Sequence, residues 1–231
     1  MSTPIADHIA VIRKRIADAA TRTGRDPGSI RLMAVSKTVE PERIRQALEA
    51  GITLLGENYV QEAREKIPAI GHDVEWHMIG HLQTNKVKYV VTLFDWIHSV
   101  DRLELAQELD RRAGQNGRTL NVLIEVNVSG EASKSGAEPS QVLELARQIA
   151  TLPNLHVRGL MTMPPYSDDP ENSRPYFSAL RKLRDEIAAA AIPGVAMDEL
   201  SMGMTDDFAV AIEEGATIIR VGRAIFGERI R

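Results

Sequence analysis

The sequence predicts an eight-stranded parallel α/β barrel, the (β/α)8 or TIM architecture, with an additional N-terminal helix. Three observations carry that prediction. Short apolar, often β-branched runs alternate about eight times with stretches of helical periodicity, and that many alternations close a parallel sheet on itself. The 231 residues fit one such barrel, for which roughly 250 residues is ordinary. No Gly-x-Gly-x-x-Gly follows the first apolar run, which disfavours an open doubly wound sheet around a dinucleotide.

The elements follow in order. Ser2-Thr3-Pro4 reads as a cap with proline in the first helical turn. Ile5, Ile9, Ile12 and Ile16 then recur at helical spacing among Asp7, Arg13, Lys14 and Asp18. Strands are expected at 31–36, 53–56, 75–79, 95–98, 120–128, 156–161, 199–202 and 217–221. Helices are expected at 41–50 (stopped by Gly51), 58–67, 85–91, 101–113, 139–152 (before Pro153), 171–190 and 206–214 (stopped by Gly215). The polar stretch 129–140 reads as a long loop, and no compositional break divides the chain, so a single domain over 1–231 is expected.

Composition narrows the function. The absence of cysteine removes disulfides, thiolate catalysis and sulfur-ligated metals, and a cytoplasmic protein is expected. A net charge of -4 argues against a nucleic-acid surface. The N-terminal segment is interrupted by charges, unlike a signal or transit peptide. No stretch approaches the ~20 apolar residues of a membrane span.

In such barrels chemistry collects where strands end, because the following loops converge on one face. The first strand delivers Ser36-Lys37, and a lysine there either snorkels to solvent or is used for its amine. The second ends in Gly56-Glu57-Asn58-Tyr59, the third in Gly80-His81-Leu82-Gln83-Thr84-Asn85-Lys86. The fifth ends in Asn127 and the sixth in Met161-Thr162-Met163. Ser201-Met202-Gly203-Met204-Thr205 closes the seventh, and Arg220-Val221-Gly222-Arg223-Ala224 the eighth. Barrels often bind phosphate after strands seven and eight, on glycine-flanked amides. A lysine facing a phosphate cradle suggests an aldehyde-bearing phosphate such as pyridoxal 5'-phosphate. A Schiff-base aldolase acting on a sugar phosphate would use the same two features.

Other polar residues receive plainer readings. His77 and His81 straddle a strand end without a third ligand, so no metal site is expected. His72, His98 and His156 read as surface or strand-edge residues, 181–186 as a solvated helix face, and Glu213-Glu214 as solvent-exposed. Asp206-Asp207 is expected to stabilise a helix start, and Lys134 to be a solvated loop residue.

Several segments, in order along nearly the whole chain, closely resemble the pyridoxal phosphate homeostasis protein family. They are Ala34-Val35-Ser36-Lys37-Thr38, Gly56-Glu57-Asn58-Tyr59-Val60-Gln61-Glu62 and Trp76-His77-Met78-Ile79-Gly80-His81-Leu82-Gln83-Thr84-Asn85-Lys86. Ser133-Lys134-Ser135-Gly136, Gly159-Leu160-Met161-Thr162-Met163, Ser201-Met202-Gly203-Met204-Thr205-Asp206 and Ile219-Arg220-Val221-Gly222-Arg223-Ala224-Ile225-Phe226-Gly227 complete the match. The resemblance implies a fold-type III barrel like the N-terminal domain of alanine racemase, without its second, β-rich domain. By position it implies Lys37 as the Schiff-base lysine and Asn58 as the asparagine beside the cofactor. Ser201 and Gly203, with Gly222 and Arg223, match the phosphate contacts. Arg220 matches the arginine facing the pyridine nitrogen, and His81 a position near the cofactor's face. Many relatives carry serine or threonine where this chain has Arg223, so one hydroxyl donor to the phosphate is missing.

The implied role is to buffer pyridoxal 5'-phosphate and hand it transiently to apo-enzymes, as a monomer with no nucleic-acid or membrane partner. The alternative is a weakly active amino-acid racemase. An arginine at the pyridine nitrogen makes the ring a weaker electron sink, and racemisation needs a second acid–base group. The chain stops soon after the eighth unit, so the domain supplying that group is expected to be absent. Tyr59 and His81 are the available substitutes.

Overall fold

The computed structural model describes residues 4–131 and 134–227; Ser2, Thr3 and Ser133, named above, lie outside them. Eight parallel strands close into a barrel in chain order: β1 (Arg31–Val35), β2 (Leu54–Glu57), β3 (Glu75–Met78), β4 (Trp96–Val100), β5 (Leu120–Glu125), β6 (Leu155–Met161), β7 (Val195–Ser201) and β8 (Ile218–Val221). The seam is made by β1 and β8, with Met33 opposite Arg220 and Ala34 opposite Val221.

Helices α1 (Pro4–Arg22), α2 (Pro41–Glu49), α3 (Val60–Ile70), α4 (Val87–Leu93), α5 (Leu103–Gln115), α6 (Pro139–Ile149), α7 (Arg174–Ala189), α8 (Phe208–Glu213) and α9 (Arg223–Phe226) surround it. The isoleucine stripe of α1 is buried, and α1 packs on α2, α8 and α9. Since α9 is a single turn, α1 fills the place in the outer ring that the last unit leaves open.

Both faces of the strands are buried over most of their length, which is the rule for parallel barrels. One face joins a large cluster with the helices, including Ala34, Leu55, Ile97, Leu160 and Ile219. The alternate residues form smaller clusters inside the barrel: Met33, Leu54, Ile79 and Ile218, and Trp96, Leu123 and Met161.

Several boundaries differ from expectation for local reasons. The helix expected from 171 begins as a 3-10 turn, Pro170–Ser173, capped by Asp169. The helix expected from 206 starts at Phe208, because 205–207 form a turn in which Asp207 Oδ1 accepts the Met204 N–H at 2.6 Å. The seventh strand starts at Val195, pairing with Val157 of β6. The fifth stops at Glu125, and an isolated bridge from Val126 to Ala137 closes the loop that follows. Glu213 and Glu214 are not solvent-exposed: Arg22, Arg174 and Arg181 cover them in an ion-pair network.

Candidate functional site

The strand register brings the predicted site residues to one edge. Val35 pairs with Gly56, so Ser36-Lys37 runs out beside Glu57-Asn58. Across the seam, a Cβ on Gly222 would stand 3.3 Å from the Val35 carbonyl oxygen. The ends of β8, β1 and β2 therefore adjoin.

Lys37 is half-buried in the turn after β1. That turn is strained, since Thr38 has φ 61°, a region β-branched residues rarely adopt. Its restraint is a buried polar cluster. The Thr38 N–H donates to Glu62 Oε2 at 2.7 Å. Lys66 Nζ donates to the same oxygen at 2.6 Å, to Glu57 Oε1 at 2.9 Å and to the Ser36 carbonyl at 2.6 Å. The ammonium thus uses all three hydrogens. The Ser36 hydroxyl donates to Glu57 Oε1 at 2.8 Å. Burial pushes the Glu57 carboxyl up from its ordinary value, and the Lys66 and Ser36 donors oppose it.

Arg220 lies inside the barrel with 3% exposure. Its Nη1 donates to Ser201 Oγ and its Nη2 to the Thr162 carbonyl, both at 2.8 Å. Both acceptors are neutral. Asp198 and Glu199 of β7 are not its partners: Glu199 accepts from Thr217, and Asp198 pairs with Arg158. Burial pulls Arg220 down to about 10, with Asp207 and Glu125 opposing. A buried cation among neutral acceptors is expensive, and a ligand acceptor would complete its shell.

The remaining predicted residues are placed as follows. Asn58 is half-buried with Oδ1 unpartnered. A Cβ on Gly80 would fall 2.3 Å from the Asn58 carbonyl oxygen, so glycine is required where the third loop passes over it. Gly203 has φ 89°, and its carbonyl accepts the Arg220 N–H at 3.0 Å. Gly222 precedes α9, and the Arg223 guanidinium donates to both Asp206 oxygens, at 2.8 and 2.6 Å. Much of the Arg223 charge is therefore balanced by Asp206. His81 is exposed at the rim, its Nδ1 3.2 Å from Ser135 Oγ.

Some polar residues escaped sequence reasoning. His98, expected at the surface or a strand edge, is fully buried inside the barrel, 2.7 Å from His77 and 3.0 Å from Ser201. Burial pulls both imidazoles well below their ordinary value, and neighbouring positive charges add to it. Glu125, last on β5, is 4% exposed with Oε2 unpartnered. Burial pushes its carboxyl up to about 7, reinforced by Asp101 and opposed by Arg220. A charge inside the apolar run 120–128 was the signal for Glu125. For Lys66 it was a cation on the buried stripe of Val60, Ala63 and Ile67.

Among the described residues no His, Asp and Glu side chains group as three metal ligands. No described helix is long and apolar enough to cross a membrane.

A closed barrel with a lysine after the first strand and glycine turns after the last two defines a class of protein. The family described as alanine racemase, N-terminal domain, matches residues 8–230. Within that class, the chain belongs to the pyridoxal phosphate homeostasis protein family. A protein of that name from Aquifex aeolicus is 50% identical over 224 residues, covering 96% of this chain and 97% of the relative. PipY of Synechococcus elongatus, solved with PLP bound, matches with a TM-score of 0.84 at 36% identity, over 96% of this chain and 100% of that one. An unknown protein from Bifidobacterium adolescentis matches with a TM-score of 0.93 at 41% identity, over 96% and 94% of the two chains.

Proposed function

We propose that this chain binds pyridoxal 5'-phosphate at the barrel mouth, held as a Schiff base on Lys37, and passes it to apo-enzymes rather than turning over a substrate. The observation that carries the reading is Arg220, a buried cation whose hydrogen-bonded acceptors are both neutral. An arginine cannot accept a proton, so it suits a ligand whose ring nitrogen is itself an acceptor. The names of the relatives and the PLP bound to PipY support the same ligand.

The residues at the mouth fit the group. The Lys37 amine would condense with the aldehyde and release water; water would reverse the linkage, and an incoming amine would instead exchange with Lys37, freeing the lysine and taking over the aldehyde carbon. Gly203, Gly222 and the Arg223 amide are the candidate phosphate contacts, with Ser201 beside them. Asn58 offers an unpartnered oxygen, and His81 stands at the rim. Because arginine leaves the ring nitrogen unprotonated, electron withdrawal is weak, which favours storage over carbanion chemistry. We place this activity in the cytosol, in a monomer of one barrel domain that docks only transiently on its acceptors.

Borohydride reduction of ligand-saturated protein followed by peptide mapping tests the reading. The adduct is expected on Lys37, and Lys37→Ala should lack the visible band. An adduct elsewhere, or none, overturns it. Solvent-deuterium exchange at the α-carbon of added amino acids would instead favour an enzyme.

A further inference from the structure

Four polar side chains form a continuous line through the barrel from the mouth toward the opposite end. Arg220 Nη1 is 2.8 Å from Ser201 Oγ, and His98 Nδ1 is 3.0 Å from that same oxygen. His98 Nε2 is 2.7 Å from His77 Nδ1. His77 Nε2 is 3.1 Å from Glu75 Oε1 at an angle too poor for a hydrogen bond. Ser201, His98 and His77 are buried, and Glu75 opens to solvent where Arg31 holds it.

The line can run in two directions, and two observations choose between them. Arginine only donates, so one lone pair of Ser201 is taken. If His98 carried its hydrogen on Nδ1, Ser201 would accept twice. Its own hydroxyl hydrogen would then have no acceptor among the described residues. His77 would also turn a bare Nε2 lone pair toward the Glu75 carboxylate. In the other direction, Ser201 donates to His98 Nδ1, His98 Nε2–H donates to His77 Nδ1, and His77 Nε2–H faces Glu75. Buried donors are then satisfied as far as His77, and the last contact is attractive.

We infer that His98, backed by His77, is a positioning residue for Arg220: it draws the Ser201 hydroxyl hydrogen inward, making Ser201 a fixed acceptor for the guanidinium rather than a donor to the ligand's phosphate. The clause about the phosphate rests on the function proposed above; the direction of the line does not. With Ser201 Oγ and the Thr162 carbonyl both fixed, the guanidinium plane is held in one orientation before any ligand arrives. The phosphate then depends on main-chain amides.

Imidazole 15N NMR on the full chain without ligand tests the direction. Both histidines are expected neutral with hydrogen on Nε2 near neutral pH. A His98 with hydrogen on Nδ1, or a protonated one, overturns the inference whether or not pyridoxal 5'-phosphate binds. The spectrum is then repeated with pyridoxal 5'-phosphate at saturation. A move of the His98 hydrogen to Nδ1 would mean that Ser201 donates to the ligand, and this too overturns it. If no binding occurs, the proposed function fails while the first spectrum still decides the direction. Two variants give a further readout. His98→Asn keeps an acceptor near the Nδ1 position and should bind with little change, whereas His98→Leu should bind about tenfold more weakly or worse. Equal affinities refute the positioning role; should the leucine variant fail to fold, the wild-type spectra decide.

Discussion

Lys66 Nζ donates to the main-chain oxygen of Ser36 at 2.6 Å, one residue before Lys37. The same ammonium holds Glu57 and Glu62, and Glu62 holds the strained Thr38 amide. A lysine of the second βα unit thereby fixes the turn that presents the lysine of the first. Replacing Lys66 with Met strands the buried Glu57 carboxylate and leaves the half-buried Glu62 without its cation, a change that costs about 3–5 kcal/mol. The expected result is a large drop in the denaturant midpoint and slower hydride trapping at Lys37. A loss below about 1 kcal/mol would show that the cluster does not restrain the turn.

Glu125 gives stability a dependence on pH. Its carboxyl is raised to about 7 in the folded chain, against about 4.3 for an exposed glutamate. Between these values the folded state keeps a proton that the unfolded chain releases, so stability falls as pH rises through the window and levels off above it. Glu125→Gln should remove this loss and be more stable than the wild type near pH 8, by about 3–4 kcal/mol. Equal melting temperatures at about pH 8 would refute the burial argument.

His77 and His98 act in the opposite sense. Both are held neutral in the fold, while an unfolded histidine takes up a proton below about 6.5. Stability should therefore fall as pH drops below that value, by up to about 1.4 kcal/mol per unit for each proton taken up. His77→Phe should flatten this acid limb in a series of thermal melts. A variant whose limb keeps the wild-type slope would count against a neutral His77.

Two glycines of the candidate phosphate cradle should respond differently to alanine. At Gly203 the φ is 89° and a Cβ would lie 2.5 Å from the Ala211 Cβ, so strain and overpacking together cost about 2–4 kcal/mol. Gly222 has φ -114° and a nearest approach of 3.3 Å, so Gly222→Ala should cost about 1 kcal/mol or less. Melting temperatures of the two variants decide the ordering, and a reversal would sink it.

Much of the scaffold was legible because its signals are local. Proline and glycine punctuation framed Pro41–Glu49 and Pro139–Ile149 closely, and the isoleucine stripe marked the opening helix. The rim positions followed from knowing where strands end. Less visible was the inside of the barrel. A strand buried on both faces loses the polar alternation that tells inward from outward, so His98 passed for a strand-edge residue. Glu213 and Glu214 were misjudged for a related reason: the arginines that cover them come from α1 and α7.

By itself the sequence determined the barrel, the reactive-lysine candidate and the glycine turns around it, since each is written in neighbouring residues. Only the tertiary structure decided which polar groups meet and which atoms carry hydrogen. Ser201 and His98 are 103 residues apart in the chain, and their link exists because closure places β4 and β7 across a common interior. Hydrogen-bond direction there is set by arginine's inability to accept, a constraint that reaches the histidines only after folding.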